Sequence, residues 1–434
     1  MITGSQDAVE RLNADCLCRT VDLSALEASL ASEVGDAGLA AELGRSHPGL
    51  TSRQPVYLSA GHARAMAAII SAVERVAFLP AYREAVLAHA PEIARFDPGP
   101  TGVFMGYDFH LGPDGPKLIE INTNAGGALL NAYLAEARQA CSETLDAAFP
   151  RPPGMVEMER RFLASFTTEW RKQGIDRPLV RIAIVDEGPE TQFLYPEFRL
   201  FQRLFERHGI AAVIADPAHL RWRDGALTHD GARLDLVYNR LTDFDFSDSG
   251  CAALRDGYLA GAVAVTPNPR AHALFADKRN LVPLTDRGSL QGWGVSDADI
   301  ELVVSGIAKT ITVATADADA LWRQRGKLFF KPARGHGSKA AYRGDKITKR
   351  VWADVLAGDY VAQDLVSPSG RGVNVDGVSQ DMKVDIRNYC YGSEVQLLAA
   401  RLYQGQTTNM RTTGGGFAPV VSGEVTSDVA CACR

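Results

Sequence analysis

One segment constrains this chain more than any other: VFMGYDFHLGPDGPKLIEINTNAGG, from Val103 to Gly127. Two apolar runs flank the cluster Gly112-Pro113-Asp114-Gly115-Pro116, which is a β-hairpin signal. Alternate side chains of a strand share a face, so Glu120 and Asn122 point one way while Ile119 and Ile121 point to the core. Closing the hairpin on that turn sets Asp108 opposite Glu120. Two carboxylates facing each other repel unless a counter-ion joins them. A hard divalent cation with oxygen ligands resolves the conflict, and Mg²⁺ beside nucleotide phosphates is the usual case. The plainer alternative is an ordinary hairpin with one exposed polar face.

A second constellation lies far downstream. The run from Lys327 to Arg350 carries eight basic residues and only one acid, Asp345, within a chain of net charge −6. Lys331 follows Leu328-Phe329-Phe330 and precedes Pro332, so it sits in an apolar strand. A buried ammonium needs an anion. Arg334-Gly335-His336-Gly337-Ser338 then offers a turn whose backbone N–H groups can approach phosphate. Lys346 to Arg350 read more simply as a solvated helix face. Lys278, in ADKRN, is a further cationic candidate at a helix start.

A third group comprises Arg387, Arg401, Asn409, Arg411 and the triple glycine Gly414-Gly415-Gly416. Asp385 and Arg387 share a strand face. Three successive glycines make a loop able to pass close to a ligand, or simply a flexible loop.

The acidic balance argues against an extended nucleic-acid surface. No apolar run approaches the ~18 residues of a membrane span, and no signal peptide is visible. Seven scattered cysteines do not form a disulfide framework, so a reducing cytoplasm is expected. The pairs Cys16/Cys18 and Cys431/Cys433 lack histidine partners; loosely ordered thiols are the favoured reading over a metal site.

Residues 1–100 read as a mostly helical N-terminal region, with helical apolar spacing from Ala60 to Ala90. Residues 101–150 hold the hairpin and a helix from Ala128 to Arg138. Residues 151–265 alternate strand and helix: Leu179 to Gly188, a helix with Phe198, Phe201, Leu204 and Phe205 on one face, Ala211 to Asp216, and Leu234 to Leu241. That pattern suggests a small open α/β domain. Residues 266–434 form an α+β region rich in strands and glycine. The expected fold class is therefore α/β with an α+β portion. The Leu179 strand is not followed by G-x-G-x-x-G, so a dinucleotide-dependent enzyme ranks low.

DFHLGPDGPKLIEINT, from Asp108 to Thr123, resembles the metal-binding hairpin of the ATP-grasp superfamily as it stands in D-alanine–D-alanine ligases. Here it precedes the Lys331 strand by about 210 residues. That order is similar to eukaryotic-type glutathione synthetase, a circularly permuted ATP-grasp enzyme. VYNRLTDFDF looks like its substrate-domain strand, in a Rossmann-like domain, with Asn239 and Arg240 as pocket candidates. ADKRNL and FFKPARGHGS look like its two ATP lysines, Lys278 and Lys331. YVAQDLV looks like its adenine hinge, with Gln363, Asp364 and Leu365. MRTTGGGFAPV looks like the loop that closes over the site. Two departures stand out. Gly106 occupies the place of an arginine that holds the acyl phosphate, and Gly335-His336 that of a metal-binding glutamate.

The resemblance implies an ATP-dependent ligase joining a carboxylate to an amine, with ATP and Mg²⁺ as cofactors. Asp108, Glu120 and Asn122 would hold the metal. Lys278, Lys331, Gly335, Gly337 and Ser338 would meet phosphates, with Gln363, Asp364 and Leu365 at the adenine. Arg387 would stabilise the transferring phosphoryl group, Arg411 would replace the missing arginine, and Gly414 to Gly416 would cover the site. The expected partners are a small-molecule carboxylate and amine, an amino acid or small peptide, and neither nucleic acid nor membrane; a homodimer stays open. The alternatives are an acyl-phosphate-forming kinase and a non-catalytic nucleotide-binding regulatory protein.

Overall fold

The structure, a computed structural model, describes residues 2–18, 20–35, 49–139, 142–315, 317–335 and 340–425. The candidates Gly337 and Ser338 and the pair Cys431/Cys433 lie outside the described residues.

The largest element is a seven-stranded sheet. Its strands are β1 (Val56–Ser59), β2 (Met105–Gly112), β3 (Gly115–Asn122), β15 (Ser369–Val375), β16 (Val378–Tyr391), β17 (Glu394–Tyr403) and β18 (Gly416–Gly423). The order is β1-β18-β17-β16-β2-β3, and β15 pairs with the first half of β16. The hairpin around residue 114 is thus completed by strands more than 240 residues away in the chain. The N-terminal region is mostly helical, as its spacing suggests, but it also supplies β1, parallel to β18. Its long apolar stretch forms two helices, Ala60–Ala77 and Pro80–Leu87, because Pro80 at a helix start cannot continue the preceding one. Met66, Ile69, Ile70 and Val73 on the first helix are buried against the sheet. Among the described residues no single helix is long and apolar enough to cross a membrane.

A second sheet has four parallel strands: β4 (Arg181–Val185), β5 (Ala211–Ala215), β9 (Leu236–Asn239) and β10 (Ala264–Thr266). The order is β10-β9-β4-β5. Helix Tyr195–Arg207 connects β4 to β5, its Phe198, Phe201, Leu204 and Phe205 buried on one face as expected. Phe166 and Tyr238 meet Phe201 edge-on, Phe104 meets it at a tilt, and Phe162 packs edge-on against Phe104, joining this sheet to the large one. Between β5 and β9, a small sheet of β6 (Arg221–Arg223), β7 (Ala226–His229) and β8 (Ala232–Arg233) turns at Asp224-Gly225 and Asp230-Gly231. All four turn residues have positive φ, the signature of tight hairpin turns.

A third sheet is antiparallel, in the order β11-β14-β12-β13. It comprises β11 (Thr310–Thr312), β12 (Leu328–Pro332), β13 (Tyr342–Arg343) and β14 (Tyr360–Asp364). Its apolar face packs on Trp352 and Val355 of helix Lys349–Ala357. Lys346 to Arg350 therefore form a 3-10 turn and the start of that helix, consistent with a solvated basic face.

Candidate active site

A cavity of about 570 Å³ lies where the three sheets meet. Residues from β2, β3, β12, β14, β16 and β17 line it, together with residues just beyond β4 and β9.

The hairpin sets one end. Asp108 is opposite Glu120 in the β2–β3 ladder, and Gly106 is opposite Asn122. The register slips after Asp108, a bulge that the sequence pattern does not reveal. On the other side of β2, Asp108 faces Arg387, and on β17 Arg401 faces Asp385. A row of charged side chains therefore crosses the sheet. Arg387 grips Asp108 with two hydrogen bonds, Nε to Oδ1 and Nη2 to Oδ2, both 2.7 Å. Arg401 donates to Asp108 at 2.8 Å and to Asp385 at 2.5 Å. Asn122 Nδ2 donates to Asp108 at 3.0 Å.

This arrangement changes the reading of Asp108. Its carboxylate accepts four hydrogen bonds and is 1% exposed, so it anchors two guanidinium groups rather than standing open to a metal. Burial pushes its pKa up, but Arg387 and Arg401 hold it below the ordinary carboxylate value. Glu120 is different. It lines the cavity and pairs only with Lys278, at 3.0 Å, among the described residues. Burial raises its pKa, yet Lys278 and Lys331 pull it below the ordinary value, so it is ionised at neutral pH.

Lys331 is buried as its apolar neighbours suggest; Phe330 is fully buried and Phe329 borders the cavity. Its ammonium donates to the Ile119 carbonyl and to Gln363 Oε1, both at 2.9 Å. Among the described residues it forms no ion pair. Lys278 donates to the Gly335 carbonyl at 3.0 Å, bringing the turn after β12 to the same end. Gln363, Asp364 and Leu365 all border the cavity. Gln363 is fixed between Lys331 and Thr310. The Leu365 N–H is committed to the Lys327 carbonyl, which leaves it unavailable to a base.

The other end belongs to the parallel sheet. β5 lies on one side of β4 and β9 on the other, so the chain reverses its direction of build-up between β4 and β9. Open α/β sheets bind ligands at such a point, beyond the carboxyl ends of the strands. Asp186 follows β4 and Arg240 follows β9, and both line the cavity. The Arg240 guanidinium is 7% exposed and forms no ion pair among the described residues. Among the described residues its one hydrogen bond, to the Tyr238 hydroxyl, is long at 3.5 Å, and its Nε has no partner. Burial raises the Asp186 pKa to about 6 against the pull of Arg240. Glu197 occupies the start of helix Ala128–Glu136, accepting from the Gly127 and Leu129 N–H groups at 2.7 and 3.0 Å. That helix end is filled and cannot serve a ligand. Asn239 is also turned inward, bonded to the Pro267 carbonyl and the Leu241 N–H.

Two expectations do not hold. Arg411 is exposed and does not border the cavity; its neighbours Gln406 to Met410 do. The triple glycine packs inward instead of covering the site. A Cβ on Gly414 would collide with Val375, on Gly415 with the Leu402 carbonyl, and on Gly416 with Gly49 and Leu50. These glycines admit neighbouring backbone, not a ligand. The space beside Gly106 is bordered by Arg387 of the adjacent strand. A Cβ at Gly106 would collide with the Ala125 methyl at 2.6 Å and lie 3.3 Å from Arg387 Nε, so Ala125 and Arg387 together fill that space. Arg401, noted in the sequence but given no role, is the second arginine of the site.

Comparison with solved structures is informative at this point. A glutathione synthetase-like effector from Globodera pallida aligns over 92% of this chain and 98% of its own, with a TM-score of 0.56 and 12% identity. The chain shares the fold of that effector. A protein named as a gamma-glutamylcysteine synthetase, from Methylobacillus flagellatus KT, aligns over 72% of this chain and 78% of its own at TM-score 0.43 and 11% identity. The ATP-grasp ligase PsnB, solved with a minimal precursor, Mg and ADP, aligns over 57% of this chain and 90% of its own at TM-score 0.27 and 14% identity. No family model matches the sequence, and no curated protein does.

Among the described residues no cluster of three or more His, Cys, Asp or Glu side chains forms a closed metal cage. Cys16 is buried in the core, its Sγ 3.4 Å from the Tyr57 hydroxyl, and is not the loosely ordered thiol expected from the sequence. Mg²⁺ at nucleotide sites, however, takes one or two carboxylates and leaves the rest to phosphate and water. Glu120, ionised and facing the cavity beside Asn122, fits that demand.

Proposed function

We propose that this chain is an ATP-dependent ligase that activates a carboxylate as an acyl phosphate and joins it to an amine. One observation carries the reading. A single cavity runs from the buried ammonium of Lys331 to the buried guanidinium of Arg240, neither of which forms a direct ion pair among the described residues. Buried cations that touch no carboxylate directly favour anionic ligands. A nucleotide polyphosphate suits the first and a substrate carboxylate the second.

In this reading Lys278 and Lys331 neutralise the phosphates, and Glu120 and Asn122 hold Mg²⁺. When bound, the metal would offset charge on the β- and γ-phosphate oxygens. Arg387 would leave Asp108 to grip the transferring phosphoryl group, as arginine does in phosphoryl transfers, and the carboxylate so freed would be available to the metal. Arg401 keeps Asp108 and Asp385 compensated meanwhile. The segment 406–410 closes the cavity against water, which would otherwise hydrolyse the acyl phosphate. The amine attacks the acyl carbon, the C–N bond forms, and phosphate leaves with the former carboxylate oxygen. We read the split of the large sheet between residues 105–122 and 369–423 as a circular permutation of the ATP-grasp domain, and the parallel sheet as its Rossmann-like substrate domain. The Globodera pallida likeness supports the fold; the cavity supports the chemistry.

Arg387 beside Gly106 weakens the non-catalytic alternative, since the site keeps its guanidinium. Glu120→Gln should abolish ADP formation while the circular-dichroism spectrum stays native. ADP formation at the native rate in that variant would rule out the metal assignment.

A further inference from the structure

We infer that one of the two substrates is an α-amino acid with an apolar side chain, selected by Leu194, Phe193 and Met410, an assignment that rests on the ligase reading above. Leu194 breaks a local rule. It stands at the N-cap of helix Tyr195–Arg207 and makes no side-chain capping hydrogen bond. Ser, Thr, Asp and Asn are the residues that satisfy the free N–H groups of a helix start. A leucine there gives up that contribution, and its side chain borders the cavity instead. Departures from local preference concentrate at functional sites. Phe193 borders the same cavity and stays 37% exposed. Met410 borders it from the segment 406–410 and is half-buried. Apolar walls with a few placed polar groups are the usual make-up of small-ligand sites.

Gly126 fixes where this apolar wall lies relative to charge. A Cβ there would fall 2.3 Å from Leu194 Cδ1 and 2.7 Å from Arg240 Nη2. The leucine methyl and the guanidinium therefore stand side by side over one glycine. Asp186 completes the arrangement. Its Oδ1 accepts from the Glu187 N–H, and its Oδ2 accepts nothing among the described residues. Arg240 is near enough to pull on the Asp186 carboxyl, yet the two form no direct ion pair. Beyond β4 and β9 they are the only charged side chains on the cavity wall among the described residues. An α-amino acid carries its carboxylate, ammonium and side chain on one carbon. Arg240, Asp186 and Leu194 match these three groups in turn. A charged side chain on the substrate would lie against Leu194 and Phe193 without a counter-ion, which disfavours it. Leu194, Phe193 and Met410 are therefore specificity-determining residues.

The test measures binding by calorimetry in the presence of AMPPNP and Mg²⁺, with ADP release from ATP followed in parallel. The ligands are L-leucine, L-methionine, L-alanine, L-glutamate, leucinamide, which lacks the carboxylate, and 4-methylpentanoate, which lacks the ammonium. L-Leucine and L-methionine should bind at least roughly tenfold more tightly than L-alanine and L-glutamate, the scale on which pockets sort side chains. Leucinamide and 4-methylpentanoate should each bind at least about tenfold more weakly than L-leucine, the worth of one hydrogen bond to a charged group. Leu194→Asn puts a cap-favoured residue at the helix start. That variant and Met410→Ser should each bring the leucine-to-alanine ratio toward one while the circular-dichroism spectrum stays native. Equal binding of L-leucine and L-alanine, tighter binding of L-glutamate, or an unchanged ratio in the folded variants would overturn the inference and leave the ligase reading standing. Failure of all six ligands to bind would do the same. Selective L-leucine binding with no ADP release from any carboxylate–amine pair would instead overturn the ligase reading.

Discussion

Asp108 and Arg387 face each other across β2 and β16 with two 2.7 Å hydrogen bonds, and the Arg387 side chain is only 9% exposed. Removing one partner of such a pair strands the other charge away from water, at a cost of about 3–5 kcal/mol. Asp108→Asn should therefore lower stability by that amount, and Arg387→Met by a similar one. Breaking both together leaves less charge stranded, so the double variant should fall short of the sum by about 2 kcal/mol. Urea unfolding followed by tryptophan fluorescence measures all three midpoints. The pH dependence has a fixed sign. The Asp108 carboxyl is held below its ordinary value of 3.8, so its contribution is complete above that pH and is lost as pH falls through the lower folded value. Singles that cost less than about 1 kcal/mol, or that add within about 0.5 kcal/mol, would refute a closed Asp108–Arg387 pair.

Other residues give independent tests. Lys331→Met should remove the thermal stabilisation by saturating ATP and Mg²⁺, worth about 2.7 kcal/mol at a hundredfold excess over Kd in the native chain. Gly416, at φ +88°, should not tolerate Ala: Gly416→Ala should cost at least about 1 kcal/mol in unfolding, whereas Arg411→Ala should leave ATP turnover within about twofold. The Asp186 carboxyl, raised to about 6, binds its proton more tightly folded than unfolded, so stability should fall as pH rises from 3.8 to about 6. Asp186→Asn should flatten that part of the stability profile.

The pairing of Asp108 with Glu120 was legible because strand alternation and a turn cluster fix a hairpin locally. The burial of Lys331 was legible from Phe329 and Phe330 for the same reason. Residues that meet only through topology were not. Arg387 borders the space beside Gly106 although 281 positions separate them, and nothing in either segment announces the partner. The triple glycine signals close approach, but the sequence does not say to what; Gly49, Val375 and Leu402 are the answer. The slip after Asp108 leaves no composition signal. Arg240 was found only through resemblance, and what distinguishes it, a buried guanidinium without a carboxylate partner, is a property of packing.

The central claim is that ATP consumption depends on two substrates at once. It is tested most directly by measuring ADP and phosphate release across a panel of amino acids and small peptides, with each carboxylate supplied alone and with each amine. Sustained turnover is expected only when both are present, with one C–N bond formed per ADP. Stoichiometric ADP release with a carboxylate alone, yielding a stable phosphorylated product, would contradict it.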